Sequence, residues 1–228
     1  MPPIRRVRQH VNPLSNKYSE PAQAPNWADM FDHPQRPLHL DIGCAKGDFV
    51  RAMAQQVPLW NFLGLEIREP LVERALMRHE KAVRSGAARN LHFVFCNANN
   101  SLKPVLMNYP GELQRVSIQF PDPWFKKRHQ KRRVVQPALV TVLAELMPAG
   151  GWVWLQSDIE AVCTQMCDRF DENPSFSREG TDWLGASPFP AKTDRERVGI
   201  EKGLPVYRAK YVRQAAGQAR EPDCLRIM

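Results

Sequence analysis

The chain lacks the long apolar runs from which membrane spans are built. None of its hydrophobic stretches approaches the roughly 20 residues that a transmembrane helix needs. The first residues, MPPIRRVRQHVNPLSNKY, also lack the apolar core of a secretory signal. We therefore expect a soluble cytoplasmic protein with no membrane partner, and nothing in the sequence indicates an obligate protein partner.

Cysteine is sparse, and its spacing does not suggest a metal site. The five residues form an odd, scattered set: Cys44, Cys96, Cys163, Cys167 and Cys224. The pair at 163 and 167 lies four positions apart on a predicted helix, but no second pair of ligands follows at the spacing of a zinc site. We predict reduced thiols, mostly in the core, and no bound metal.

Short apolar segments alternate with helical patterns along most of the chain, which has 228 residues, 43% of them hydrophobic. The predicted strands are 38–42, 61–65, 91–96, 115–120 and 152–156, followed by a late strand at 206–212. The predicted helices are 48–56, 69–85, 139–147 and 158–170, with a shorter helix or turn near 102–107. Because parallel strands need helical crossovers, this order predicts an α/β fold. We expect a mainly parallel sheet with helices on both faces and a late antiparallel edge strand.

The pattern also divides the chain. Residues 1–36 contain several prolines and little periodicity, so we predict an irregular N-terminal arm there. A single domain is expected over residues 37–213, with a C-terminal tail at 214–228.

One loop carries most of the functional signal. It runs from Phe120 to Arg133 and reads FPDPWFKKRHQKRR. Asp122 lies between two prolines, which restrict the backbone around it, and an aromatic pair follows. Since residues 115–120 are a predicted strand, the loop leaves the carboxyl end of that strand, where open α/β sheets bind their ligands.

The same loop concentrates positive charge. Six cations fall within its last eight residues with no acid among them, and without these six the net charge of +8 would be +2. Such a local cluster on a nearly neutral chain indicates contacts with phosphates, for which Arg128 is a candidate. A basic run alone is often only a solvated surface, but the Pro-Asp-Pro-Trp sequence before this one argues against that interpretation.

A second signal lies where the first strand turns into the first helix of the alternating pattern. The segment from Asp41 to Gly47 places Gly43 and Gly47 in this turn, and glycine permits a positive φ and close approach to a ligand. Glu66 follows the next strand, where a carboxylate can accept hydrogen bonds from both hydroxyls of a ribose. The alternative is a turn with a purely structural role.

The acids near this turn favour one class of cofactor. A dinucleotide would place its pyrophosphate at the helix N-terminus, where Asp41 and Asp48 are unfavourable. S-adenosylmethionine instead carries a sulfonium and an ammonium group, which suit nearby carboxylates. Asn97, after the third strand, is placed either to hydrogen-bond an adenine edge or to form a turn.

Together, Asp41-Ile-Gly-Cys-Ala-Lys-Gly47, Glu66, Asn97-Ala98 and the Phe120–Arg133 loop resemble the tRNA (guanine-N7)-methyltransferase family over residues 37–213. The resemblance implies a class I, Rossmann-like methyltransferase fold. It also implies transfer of a methyl group from S-adenosylmethionine to N7 of a guanine in the variable loop of tRNA.

The resemblance also carries residue roles to this chain. Cofactor contacts would fall on Asp41, Glu66, Asn97 and Asp122. Substrate contacts would fall on Lys126, Asp158, Thr193, Asp194, Arg195 and Glu196. The family often has Glu, Gly and Asp at positions 41, 45 and 97, so the Asn at 97 departs most because it lacks a charge.

Several of these residues have alternative explanations. Asp158 has the position of a helix cap, and Thr193 to Glu196 has the spacing of a capping box. Trp124 is suited either to stacking on a splayed base or to packing beneath the loop. Asp122 is predicted to orient guanine rather than to act as a base, because N7 has a lone pair and no proton to lose.

Two other kinds of protein remain open at the level of sequence. One is a dinucleotide-dependent oxidoreductase, although a full Gly-x-Gly-x-x-Gly is absent. The other is a non-catalytic RNA-binding module whose basic loop grips phosphate. A pyrimidine C5 methyltransferase needs a cysteine nucleophile, and none lies near Asp122 in the sequence.

Overall fold

The computed structural model describes residues 10–215 and builds one sheet from seven strands within them. The strands are β1 (Leu38–Ile42), β2 (Asn61–Glu66), β3 (Leu91–Phe95), β4 (Leu113–Gln119), β5 (Trp152–Ser157), β6 (Phe176–Arg178) and β7 (Tyr207–Arg213). Their order across the sheet is β3-β2-β1-β4-β5-β7-β6. The strands from β3 to β5 pair in parallel, and β7 pairs antiparallel with β5 and β6. The predicted mainly parallel sheet with a late antiparallel strand is confirmed.

Helices cover both faces of this sheet. They are α1 (Trp27–Met30), α2 (Asp48–Gln56), α3 (Glu69–Arg84), α4 (Ala98–Leu106), α5 (Pro137–Leu146), α6 (Glu160–Asp171) and α7 (Asp194–Glu201), with 3-10 helices at Asn16–Tyr18 and Lys127–Arg132. Buried side chains of α2 and α3 form a core on one face, and those of α4, α5 and α6 form a larger core on the other. None of the helices in residues 10–215 has the length and apolarity to cross a membrane.

Alternation along β1 shows how the two cores are divided. Leu38, Leu40 and Ile42 enter the larger core. The ring of His39 faces the other way and packs near those of Phe49 and Phe189. Because successive side chains of a strand point to opposite faces, Asp41 lies on the same face as His39, at the carboxyl end of the strand.

Residues 10–36 pack against the domain. Trp27 and Phe31 stack with ring centroids 5.8 Å apart and are buried in the larger core. The backbone amide of Ala22 donates to Ser101 of α4. The division into arm, domain and tail stays a prediction, and residues 1–9 and 216–228, including Cys224, lie outside the described residues.

Three local predictions need correction. The fourth helix is longer than expected and starts at Ala98, because Asn97 caps it. Residues 173–205, where the sequence predicts no strand and offers only the capping-box spacing at Thr193 to Glu196 as a helix signal, contain β6 and α7. Helix α6 begins at Glu160 with Ile159 in the N-cap position, so Asp158 does not cap it.

Candidate active site

A cleft opens along the carboxyl ends of β1, β2 and β4. One part, which we call the Glu66 compartment, has a volume of about 780 Å³ including its open mouth and is lined by Glu66, Asn97 and Asp122. The adjoining part, the Asp41 compartment, is lined by Asp41 and by Thr193, Asp194 and Arg195 before and within α7. Gly43 and Asp122 line both compartments. The fold therefore brings together most of the predicted cofactor residues and several predicted substrate residues, whereas Gly47 lines neither compartment.

The turn after β1 depends on its glycines. Gly43 and Gly47 have φ of 85° and 73°, a region that favours glycine. A side chain at Gly47 would also clash with the ring of Phe93. The turn is joined to β2 by the backbone amides of Gly43 and Cys44, which both donate to the carbonyl of Leu65.

Asp41 ends a buried chain of hydrogen bonds. The Ser117 hydroxyl donates to Asp41 Oδ1 over 2.5 Å, and His39 Nε2 lies 3.0 Å from the same Ser117 oxygen. Burial lowers the pKa of His39 to about 3, so the ring is neutral. Because Ser117 uses its hydrogen on Asp41, it accepts the His39 Nε2–H.

The environment of Asp41 disfavours its charge. Burial is the main reason that the pKa of Asp41 is raised to about 6, and the nearby Glu66 charge also raises it. The hydrogen bonds from Ser117 and Gln119 act in the opposite direction and lower this pKa. A carboxylate with this pKa is partly protonated near pH 6, and a cationic ligand would favour its ionised form.

Glu66 is the most heavily hydrogen-bonded acid of the cleft. Its carboxylate accepts the backbone amides of Ala45 and Arg68, each over 2.9 Å. The Arg68 guanidinium adds bonds to both carboxylate oxygens, also at 2.9 Å. Glu66 is thus a fixed acceptor, and a ribose that uses its oxygens must share them with Arg68.

Asn97 caps the N-terminus of α4 and also lines the cleft. Its side-chain oxygen accepts the backbone amide of Asn99, and its amide nitrogen donates to the carbonyl of Pro13. A contact between Asn97 and cofactor stays a prediction.

The loop after β4 holds Asp122 in an unusual backbone. Phe120 and Trp124 have φ of 49° and 43°, which is rare for residues with side chains. The backbone amide of Phe120 donates to the carbonyl of Gln156, which fixes the start of the loop on β5. Asp122 itself is half exposed, and His10 Nδ1 lies 2.7 Å from its Oδ1.

The six cations of the loop are not equivalent. Arg133 is buried and donates to the carbonyl of Pro123 and to the side chain of Gln165. Arg132 lies over the Trp124 ring at 5.0 Å. The other four are exposed: Lys126, Lys127, Arg128 and Lys131.

The two aromatic residues of the loop also differ. Trp124 is half-buried and contacts the rings of His10 and His129, outside both hydrophobic cores. Packing in the core is therefore not its role. Phe125 is 74% exposed and faces solvent.

The last predicted substrate residues separate into two groups. Asp158 accepts two bonds from Arg195, at 2.9 Å each. The Thr193 hydroxyl caps α7 by accepting the amide of Glu196. Glu196 completes no capping box, because it is 1% exposed and pairs with Arg208 at 3.0 Å. Glu196 does not line the cleft, so the geometry favours an indirect role in holding α7.

Three functional candidates escaped the sequence. Ser117 meets Asp41 only through the register of β4 on β1. Arg68 stands two residues after Glu66, and its charge beside a predicted site residue is a signal that the sequence does carry. His10 contacts Asp122 although 112 positions separate them in the sequence, and no local sequence pattern predicts this contact.

Comparison with known proteins shows consistent matches. A family model described as "Putative methyltransferase" matches residues 35–209. A tRNA (guanine-N(7)-)-methyltransferase of Trichormus variabilis is 55% identical over 92% of this chain and 97% of its own length.

Two solved structures have a similar fold. The 16S rRNA methyltransferase KamB has a TM-score of 0.60 at 11% identity, over 85% of this chain and 96% of its own. The N-methyltransferase NodS of Bradyrhizobium japonicum, in complex with S-adenosyl-L-homocysteine, has a TM-score of 0.50 at 10% identity, over 79% of this chain and 80% of its own. At such identities the likeness concerns the fold alone, and the predicted class I methyltransferase fold is confirmed.

Proposed function

The chain belongs to the tRNA (guanine-N7)-methyltransferase family, and from this premise we propose that its cleft binds S-adenosylmethionine and serves to methylate a guanine of the tRNA variable loop at N7. The observation that carries the proposal is the convergence of Asp41, Glu66 and Asp122 on one cleft. Family membership removes the oxidoreductase and the non-catalytic RNA-binding module as alternatives. A tRNA substrate also fits the cytoplasmic location expected from the sequence.

The residues of the cleft fit the proposed donor. Glu66 is a buried, fixed acceptor suited to the paired hydroxyls of a ribose. Asp41 is a buried carboxylate that a cationic group would stabilise in its charged form. Ile42, Leu65 and Val134 supply apolar walls for a flat base. The S-adenosyl-L-homocysteine bound in NodS supports a donor of this class.

The donor supplies an activated methyl group when it is bound, and guanine N7 accepts it without losing a proton. Asp122 therefore has no proton to remove at N7. Its carboxylate instead accepts the guanine N1–H and exocyclic amine, which fixes the direction of N7, and it stabilises the positive charge that develops on the purine. A base that uses both oxygens of Asp122 would share Oδ1 with His10.

The RNA would meet the protein on the exposed side of the cleft. Lys126 and Arg128 lie in the basic loop and are exposed to solvent, which suits contacts with phosphates. Thr193, Asp194 and Arg195 line the Asp41 compartment, and Asp158 orients Arg195. Trp124 lines the Glu66 compartment together with Asp122, which suits it to stack on a splayed base, whereas Phe125 lines neither compartment.

The direct test is methylation of an unmodified tRNA transcript with labelled S-adenosylmethionine, followed by nucleoside analysis. We expect the label in 7-methylguanosine from the variable loop. A matched transcript with adenine at the target position should take up no label. Label in any other nucleoside, with intact protein, would refute the proposed specificity.

A further inference from the structure

A cationic surface on α3 lies beside the cleft and takes no part in the chemistry proposed above. It consists of Arg74, Arg78 and Lys81 on the helix together with Lys46 from the turn after β1, and these four form a shallow groove with Met77. All five side chains are exposed. We call this surface the α3 face.

The charges of α3 are segregated. With about 100° between successive residues, the three cations fall within about 60° of one another on the helix surface. The acids Glu69, Glu73 and Glu80 form a separate stripe about 120° away. These three cations are therefore separated from the acids, whereas Arg84, the last residue of α3, lies on the acid side and pairs with Glu80.

This arrangement is unfavourable for the helix by itself. Arg74 and Arg78 stand four residues apart, and like charges at that spacing destabilise a helix. A surface that served only solubility would gain by alternating the signs. Arg78 bonds to Asp48, which Arg51 also contacts.

The α3 face is continuous with the active site. Lys46 lines both the groove and the Asp41 compartment, and the Arg78 guanidinium donates to the carbonyl of Lys46 over 3.5 Å. The helix packs on the same face of the sheet as α2. The basic loop instead leads through Val135 into the core on the opposite face, so the two cationic surfaces flank the cleft.

We propose that the α3 face is a second tRNA-binding surface, which contacts phosphates of the tRNA outside the target loop. The proposal rests on the proposed function, because it requires the RNA to enter the cleft. A polyanion seated on both cationic surfaces would straddle the cleft and hold its target loop over Asp122. The partner is a folded tRNA, since a short strand in the cleft could not reach both faces.

The experiment compares the wild-type protein with a double variant, Arg74→Gln and Lys81→Gln, which leaves the bonds of Arg78 intact. The slope of log Kd for full-length tRNA against log salt should fall by up to about two, one phosphate contact for each lost cation. Binding of a short RNA that holds only the target loop should not change. The melting temperature should stay close to that of wild type, because both side chains are exposed.

A matched control removes two exposed cations outside the groove, Arg84→Gln and Arg89→Gln, and it should leave the slope unchanged. Equal slopes for wild type and the Arg74/Lys81 variant would overturn the proposal, as would the same decrease in the control. If the wild-type protein forms no 7-methylguanosine, the proposed function fails. If the wild-type protein forms 7-methylguanosine but the Arg74/Lys81 variant has the wild-type slope, the proposed function stands and only the proposal of a second tRNA-binding surface is refuted.

Discussion

The cofactor side and the substrate side of the cleft hold their acids by different means. Asp41 and Glu66 are 4% and 3% exposed, and neighbouring strands and turns supply their hydrogen-bond donors. The side chains of Asp122 and Asp158 are 40% and 24% exposed, and their partners, His10 and Arg195, are themselves about half exposed.

This difference separates two requirements. A small cofactor needs a preorganised, largely buried site, whereas a large RNA needs surface groups that can exchange partners when it arrives. Changes on the cofactor side should therefore affect stability as well as binding. Changes to exposed side chains on the substrate side should affect the reaction and RNA binding alone.

The largest effect is expected for Asp122→Asn. Single-turnover methyl transfer should fall by roughly two to three orders of magnitude, the scale seen when one preorganised electrostatic group is lost. Folding and tRNA affinity should stay close to wild type because the side chain is half exposed. A wild-type rate that rises with pH to a plateau, absent in the variant, would instead identify Asp122 as a base.

The basic loop tests the substrate side. Neutralising Lys127, Arg128 and Lys131 together should lower tRNA affinity by up to about a hundredfold near 0.15 M salt, and the salt slope by up to about three. Arg133→Gln is the control from the same loop. Because Arg133 is buried and bonded to Pro123 and Gln165, its loss should reduce the melting temperature and leave the slope nearly unchanged. A lower salt slope for Arg133→Gln, or a lower melting temperature with an unchanged slope for the triple variant, would contradict the roles given to these four cations.

Glu66→Gln tests the cofactor side. We expect S-adenosylmethionine affinity to fall about tenfold, with a loss of about 1–3 kcal/mol in the free energy of unfolding, because Arg68 loses a charged acceptor. Calorimetric titration and thermal melts measure the two effects. Affinity for tRNA should be nearly intact. A comparable loss of tRNA affinity in folded protein would mean that the two sides are not independent.

The smallest effect concerns the pH dependence set by Asp41. Its pKa of about 6 lies above the ordinary 3.8, so the free protein should lose stability as pH rises through this window, where the folded state binds more protons than the unfolded chain. Cofactor affinity should show the opposite trend, because a cationic ligand favours the ionised carboxylate.

Ser117→Ala sharpens that test. The Ser117 hydrogen bond lowers the pKa of Asp41, so its loss should move the midpoint of cofactor binding to higher pH. Asp41→Asn should abolish the dependence. Other charged groups line the same compartment, namely His10, Lys46, Asp48, Arg68, Asp122, Asp194 and Arg195, with Glu66 close by. A midpoint unchanged in Ser117→Ala would assign the titration to one of these.

The main strands and helices, and the edge of the sheet that carries the site residues, could be predicted from local sequence. Strands β1 and β2 and helices α2 and α3 could be predicted within a residue or two because their apolar periodicity is strong. Asp41, Glu66 and Asp122 could be selected because each lies within two residues of the carboxyl end of a predicted strand. Helix α7 could be anticipated only from the capping-box spacing of Thr193 and Glu196, because its polar sequence shows little periodicity, and packing of Glu196 on Arg208 holds it.

The sequence by itself determined which residue types stand at the ends of the strands, because periodicity, turn chemistry and charge are local properties. Tertiary structure alone decided which of them meet. It paired Asp41 with Ser117 through strand register, buried Arg133 while leaving Lys126 and Arg128 exposed, and set Lys46 against Arg78 beside the cleft. Register, burial and long-range contacts depend on the packing of the whole chain, and no short segment encodes them.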